Sequence, residues 1–221
     1  MARRPQGGFG KLLARRKGFL AKVYGLLALE LAICALVTRA VRNDAQLGAT
    51  VRRWRLWLIV AAFAIVLALA FLPLPAPARL ALFTALVVVM GCINVAAVRP
   101  GVTASAIEAG VVGTTGLFVV ATAVAFGLAA AGVDLGFMGF ALLMALLGLV
   151  VASVLVLVFL RTAVVAIKAI LVVGIALFAV YIAFDTNVML MDPAPRVVDS
   201  AINLFFDAYN VFSKITALES L

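Results

Sequence analysis

Residues 137–160 read FMGFALLMALLGLVVASVLVLVFL, a run with no charged residue and with Ser153 as its single hydroxyl. Such a run has no polar face to offer water. As a helix rising about 1.5 Å per residue, it is long enough to cross about 30 Å of hydrocarbon. Moving outward, the pattern recurs. Further spans are expected at 20–38, 54–74, 79–98, 107–131, 162–184 and 197–218, seven in all. The breaks carry turn or charge signals: Arg39 to Arg55, Pro73-Leu74-Pro75-Ala76-Pro77, Arg99-Pro100-Gly101, Gly132-Val133-Asp134, Arg161, and Asp192-Pro193-Ala194-Pro195. The break at Arg161 is so short that spans five and six must form a close hairpin.

Composition agrees with this. The chain has 221 residues, 67% hydrophobic and 12% charged, with a mean hydropathy of +1.28. Soluble domains hold roughly 45–50% apolar and about 25% charged residues. A soluble globule, a disordered chain and a coiled coil are excluded, and no residues remain for a large soluble domain. The expected fold is an all-α membrane protein, a seven-transmembrane helix bundle over 20–218. A basic, flexible tail precedes it at 1–19, and a short tail follows at 219–221. The alternative reading of the first span, a cleaved signal peptide, is opposed by its long basic leader and by Glu30.

The net charge is +9, from 18 basic and 9 acidic residues. The basic residues cluster at membrane edges, so they suit orientation and anionic headgroups, not nucleic acid. The chain has no histidine, which removes most zinc sites and the usual pH switch. Cys34 and Cys92 fall in apolar runs and read as buried thiols. Gly7-Gly8-Phe9-Gly10-Lys11 lacks the Ser or Thr of a phosphate loop, since Leu12 follows. The basic first 22 residues favour a cytosolic N-terminus, although Arg39, Arg42, Arg52, Arg53 and Arg55 in the first loop pull the other way. With seven spans, the C-terminus then lies on the far side.

An ionisable residue inside a span costs a few kcal/mol to insert and is a functional candidate by default. The candidates are Glu30, Glu108, Lys168, Asp185, Asp207 and Lys214. Lys168 either snorkels outward or pairs with a carboxylate, Glu30 being the one to test. Glu108 opens span four, where a helix N-terminus favours an anion. Gly110, Gly113, Thr114 and Gly116 mark span four as a close-packing helix. Ser105, Thr114, Thr115 and Thr122 are expected to bond backbone carbonyls.

Asp185 and Asp207 stand on two helices joined by the Pro193/Pro195 turn. If the turn occupies 191–196, Asp185 lies about 9 Å below it and Asp207 about 16 Å, a mismatch of about one helical turn. Tilt or a wide turn would bring them together. Two carboxylates in one low-dielectric site cannot both ionise cheaply, so such a pair shares a proton. That makes a proton-controlled latch conceivable without histidine. Its paired oxygens would attract a hard cation such as calcium. The alternative is two separately satisfied carboxylates. In span seven, Asp199, Asn203, Asp207, Asn210 and Lys214 recur at helical spacing on one face, opposite Val198, Ala201, Ile202, Phe205, Phe212 and Ile215. A spanning helix so striped belongs at the centre of a bundle. The competing reading is an amphipathic helix lying on the membrane surface.

Phe178-Ala-Val-Tyr181-Ile-Ala-Phe-Asp185-Thr186-Asn187 resembles the sixth-helix signature of the Bax inhibitor-1 family, which includes the lifeguard proteins. Ala201-Ile-Asn-Leu-Phe-Phe-Asp207-Ala-Tyr-Asn210-Val-Phe resembles its last-helix motif. Phe19-Leu-Ala-Lys22-Val-Tyr24 resembles the start of its first helix. Ile107-Glu108-Ala-Gly110 and Asp134-Leu-Gly-Phe137 are similar to its fourth and fifth. The resemblance implies a seven-helix bundle with the last helix central. It also implies a pH-sensitive calcium leak gated by Asp185 and Asp207, and suppression of cell death through lowered stores. By the spacing of the stripe on span seven, Asn203 and Asn210 would line the ion path with the aspartates. A basic residue ending helix two steadies the pair in bacterial members; here that helix ends Leu72-Pro73-Leu74-Pro75, and Arg79 is the nearest substitute. Glu30 stands where many relatives have glutamine. The thirteen arginines against five lysines suit a GC-rich genome, a viral homologue among the sources that fit.

The functional expectation is a calcium leak channel of intracellular membranes, endoplasmic reticulum or Golgi, with the plasma membrane as alternative. Its partners would be the lipid bilayer, calcium ions and apoptosis-regulating membrane proteins, without nucleic acid. No cofactor is expected; calcium enters as the permeating ion. The alternative is a membrane interaction protein that inhibits apoptosis or immune signalling by binding partners, its aspartates being structural. A proton-coupled transporter is a third class. An enzyme is not expected, because no nucleophile, base and oxyanion donor converge.

Overall fold

The computed structural model describes residues 9–94, 101–160 and 163–221. Seven α-helices are present among them: α1 Phe9–Asn43, α2 Ala45–Phe71, α3 Ala76–Ile93, α4 Ala104–Ala130, α5 Gly139–Phe159, α6 Val164–Met191 and α7 Val197–Leu218. The expected breaks at Arg99-Pro100 and Arg161 fall outside the described residues, as do Arg3 and Arg4 of the tail.

Local chemistry sets the boundaries. The stretch from Arg39 to Arg55 was expected to be a loop, yet α1 runs on to Asn43 and α2 begins at Ala45. Asp44 alone makes the break: its Oδ1 accepts the Gln46 and Leu47 amides at 2.8 and 2.9 Å, so one residue caps the next helix. α1 also reaches back to Phe9, into the expected flexible tail. There Arg16 donates to the Asp192 carbonyl at the turn before α7, and Leu20 and Val23 are buried in the core. The proline cluster starts α3, with Pro75 at the cap and Pro77 in the first turn, where a missing amide costs nothing. Thr103 caps α4, accepting the Ala106 amide at 3.1 Å. At the other end of α4, Gly132 takes φ +76°, and the Val133 amide reaches back to the Leu128 carbonyl.

Six of the seven helices are long and apolar enough to cross a membrane. α7 falls outside that set because its polar stripe, Asp199, Asn203, Asp207, Asn210 and Lys214, lowers the hydropathy of its 22 residues. Outward faces are apolar, as with Leu36, Trp57, Phe63, Phe71, Phe140 and Val165, all more than 60% exposed. Polar side chains such as Glu30, Asn187 and Asp207 are buried instead. That inverts a soluble protein's arrangement and suits lipid as the solvent. α7 packs against α6, α4, α1 and α3; α2 packs on α3 and α1; α5 packs on α6.

Close crossings are built on glycine. A Cβ at Gly110 would overlap Thr216 and Phe212 of α7, and one at Gly113 would lie 2.8 Å from Ile215 Cδ1. Gly116 has nothing within 4 Å, so it takes no part in this crossing. Between α1 and α3, a Cβ at Gly91 would lie 2.9 Å from both the Cys34 carbonyl oxygen and Val37 Cβ. The Thr38 hydroxyl donates to the Gly91 carbonyl at 3.1 Å, in the small-residue style of membrane helix pairs.

Candidate functional site

α7 reads two ways around its axis. Ala201, Ile202 and Phe205 enter one core with Phe83 and Leu86 of α3 and Leu27 of α1, and the Phe83 and Phe205 rings meet edge to face at 5.6 Å. The stripe opposite lines a cavity of about 630 Å³, walled also by α5 and α6. Asp185, Asn203, Asp207, Asn210 and Lys214 all face it.

Asp185 and Asp207 come within hydrogen-bonding reach of each other across the α6–α7 contact. Simple counting from the turn left them about one helical turn apart. α6 continues to Met191, past the expected end at 184, and the turn, Asp192–Arg196, is within a residue of the one counted from, so the meeting comes from how α6 and α7 pack and not from the length of the turn. Asp207 is 4% exposed, and its Oδ2 meets no N–H or O–H donor among the described residues. Tyr181 lies beside both carboxyls. Asn203 is exposed at the cavity mouth, and the Asn210 amide donates to the Phe206 carbonyl at 2.9 Å. The Lys214 ammonium sits 5.2 Å from the Phe178 ring centroid, a cation–π contact. Its stem lies on Gly174, where a Cβ would overlap it. No group of three or more His, Cys, Asp or Glu side chains suited to a metal occurs among the described residues. Two carboxyls alone fall short of the 6–8 oxygens that calcium takes when held.

Other expectations are corrected. Arg79 does not reach the aspartate pair: its Nε donates to Asp199 Oδ1 at 2.8 Å, and Arg196 holds the other oxygen at 2.7 Å. About two turns up α7 from Asp207, Asp199 is the carboxylate that Arg79 meets. Glu30 does not pair with Lys168. Glu30 is 1% exposed and its Oε1 accepts the Thr84 hydroxyl at 2.7 Å, whereas Lys168 is exposed. Glu108 is exposed and one turn beyond the cap that Thr103 supplies. Thr114 and Thr115 bond carbonyls of Gly110 and Val111 as expected, but Ser105 bonds the Thr103 hydroxyl. Thr122 joins Tyr24 and Thr186 in a buried trio of hydroxyls from three helices. Cys34 and Cys92 are free thiols, the first buried and the second half-buried.

One residue escaped the reading of charges. Asn187, fully buried, accepts the Leu135 amide at 2.8 Å and donates to the Val133 carbonyl at 3.0 Å. It ties the end of α6, two residues past Asp185, to the α4–α5 connection. An uncharged amide raises no alarm in hydropathy, so only its place in the quoted motif marked it. Asn187→Ala would strand both backbone groups, and a loss of about 1–3 kcal/mol is expected. Thermal unfolding in detergent measures it.

Comparison with protein families matches residues 16–218 to the family described as inhibitor of apoptosis-promoting Bax1. The chain belongs to the Bax inhibitor-1 family. None of the curated proteins matches it. Membership makes this a multi-pass membrane protein of a family linked to inhibition of apoptosis. The Bax inhibitor-1 match takes in six helices whole and α1 from residue 16 on, including every residue of the α6–α7 cavity named above.

Proposed function

We propose that this protein is a calcium leak channel of intracellular membranes, gated by the Asp185–Asp207 pair, and that it suppresses cell death by lowering calcium stores. α7 is its seventh span, at the centre of the bundle with its polar stripe lining the path, and the N-terminus is cytosolic. The observation that carries the reading is the carboxyl pair, Asp207 buried and Asp185 half-buried, facing a cavity lined by the striped helix. Asp207 Oδ2 lacks an N–H or O–H donor among the described residues, so a proton shared with Asp185 is what the pair has to satisfy it. Loss of that proton puts two negative charges in one low-dielectric site, drives α6 and α7 apart and leaves oxygens that attract calcium. The other ionisable groups facing the cavity are Tyr181 from α6 and Lys214 from α7. α5 contributes the hydroxyl of Ser153 and apolar side chains. With too few oxygens to hold calcium, the pair suits passage.

The test is calcium efflux from liposomes containing only the purified protein, across pH values from about 5 to 8. Efflux above empty liposomes that rises with pH is expected. No efflux from folded, reconstituted protein would overturn the channel and favour the second reading, inhibition of apoptosis by binding partners, which the family description itself favours.

A further inference from the structure

A smaller cavity of about 220 Å³ lies between α2, α3 and α7 and adjoins the first, since Val66, Asn203 and Phe206 line both. Arg79 and Asp199 also line the smaller one, with Arg79 Nη2 2.6 Å from Asp199 Oδ1. Arg196 takes the second Asp199 oxygen at 2.7 Å. Exposure separates the two bases: the Arg79 side chain is 16% exposed and that of Arg196 77%. Arg79 is thus the cation held inside the protein, where its charge is screened least.

The levels along the helices agree. α2 ends and α3 begins at one proline turn, and α6 ends and α7 begins at the other. Counted inward from those turns, Arg79 and Asp199 lie about 3–5 Å deep, Val66 and Asn203 about 8–9 Å, Asp207 about 15 Å and Lys214 about 26 Å. The two cavities therefore follow one another along the α7 stripe, from the Arg79–Asp199 pair past Asn203 to Asp207. On the channel reading above, we infer that the ion path leaves the bundle at this end, between α2, α3 and α7, and that the charge of the Arg79–Asp199–Arg196 cluster sets how fast calcium passes. The cluster carries one net positive charge, two guanidiniums against one carboxylate. A divalent cation feels twice the repulsion that a monovalent one feels there. Charged side chains along a pore control cation passage in this way. Arg79 raises the barrier, and Asp199, which cancels one guanidinium, lowers it. The two partners of one ion pair thus act on the flux with opposite signs. A pair that only tied α3 to α7 would act with one sign, because removing either partner breaks the same contact.

The experiment is calcium efflux at low salt and at the alkaline end of the pH range, from liposomes holding the full chain. Wild type is compared with Arg79→Gln, Asp199→Asn, the double variant and Arg79→Lys. Efflux about tenfold higher is expected for Arg79→Gln and about tenfold lower for Asp199→Asn. The double variant restores the net charge of wild type and Arg79→Lys keeps it, so both should lie within about threefold of wild type. Should Asp199→Asn not fold, Arg79→Gln against Arg79→Lys still decides, and equal efflux in those two would overturn the role of charge. Changes of the same sign in both single variants would overturn it as well, leaving the pair as a tie between helices. Unchanged efflux in both would overturn the exit at this end while leaving the channel intact. A wild type that does not leak overturns the channel itself, and this exit with it.

Discussion

Asp207→Asn is expected to abolish the rise of calcium efflux with pH and to lower efflux at alkaline pH by about tenfold or more, the equivalent of about 1.4 kcal/mol in the barrier. The asparagine cannot take up a charge, so deprotonating Asp185 no longer creates repulsion across the α6–α7 contact. The variant should still fold. Its carboxamide donates to the Asp185 carboxylate, which gives the buried atom a partner where wild type has only the shared proton. Asp185→Asn is expected to act alike, and the double variant should be no worse than either single, because the two carboxyls act as one unit. Liposome efflux measured across pH for all four proteins checks this. A full pH response in either single variant would remove the carboxyls from the gate while leaving a leak to be explained elsewhere.

Gly91→Val is expected to cost about 2–3 kcal/mol or more, and to cut the yield of folded protein sharply. The added Cβ meets the Cys34 carbonyl oxygen and Val37 Cβ, each at 2.9 Å. One is backbone and the other a branched stem, so neither can swing aside. α1 and α3 must separate, which loses the Thr38–Gly91 hydrogen bond and loosens the core around Phe83. Gly116→Ala is the control: nothing lies within 4 Å, so a neutral to slightly stabilising effect of under about 1 kcal/mol is expected. Thermal unfolding in detergent separates the two, and equal losses would show that α1 and α3 do not depend on the close crossing.

Which glycine is essential was not legible in the chain, where Gly91 and Gly116 both interrupt apolar runs. The same holds for charges. The resemblance put Arg79 nearest to the place of the helix-two base that steadies the aspartate pair, but the register of α3 on α7 delivers it to Asp199. Glu30 and Lys168 were candidates for one another because both needed a partner, yet Glu30 turns inward to Thr84 while Lys168 faces outward. Boundaries erred where a single cap outweighed a charged stretch, as Asp44 did between α1 and α2.

The sequence by itself determined that the chain is helical and belongs to a membrane, because hydropathy is summed residue by residue over each span and needs no neighbour. It also marked Asp185, Asp207 and the stripe on the last helix, since 3.6-residue periodicity is a local property and charge in an apolar run is costly wherever it packs. Only the tertiary structure decided which of these groups meet. A half-turn of register or a few degrees of tilt moves a side chain by its own length. The packing that sets both, through Gly91, Gly110 and Gly113, brings Asp185 to Asp207, Arg79 to Asp199 and Lys214 onto Phe178.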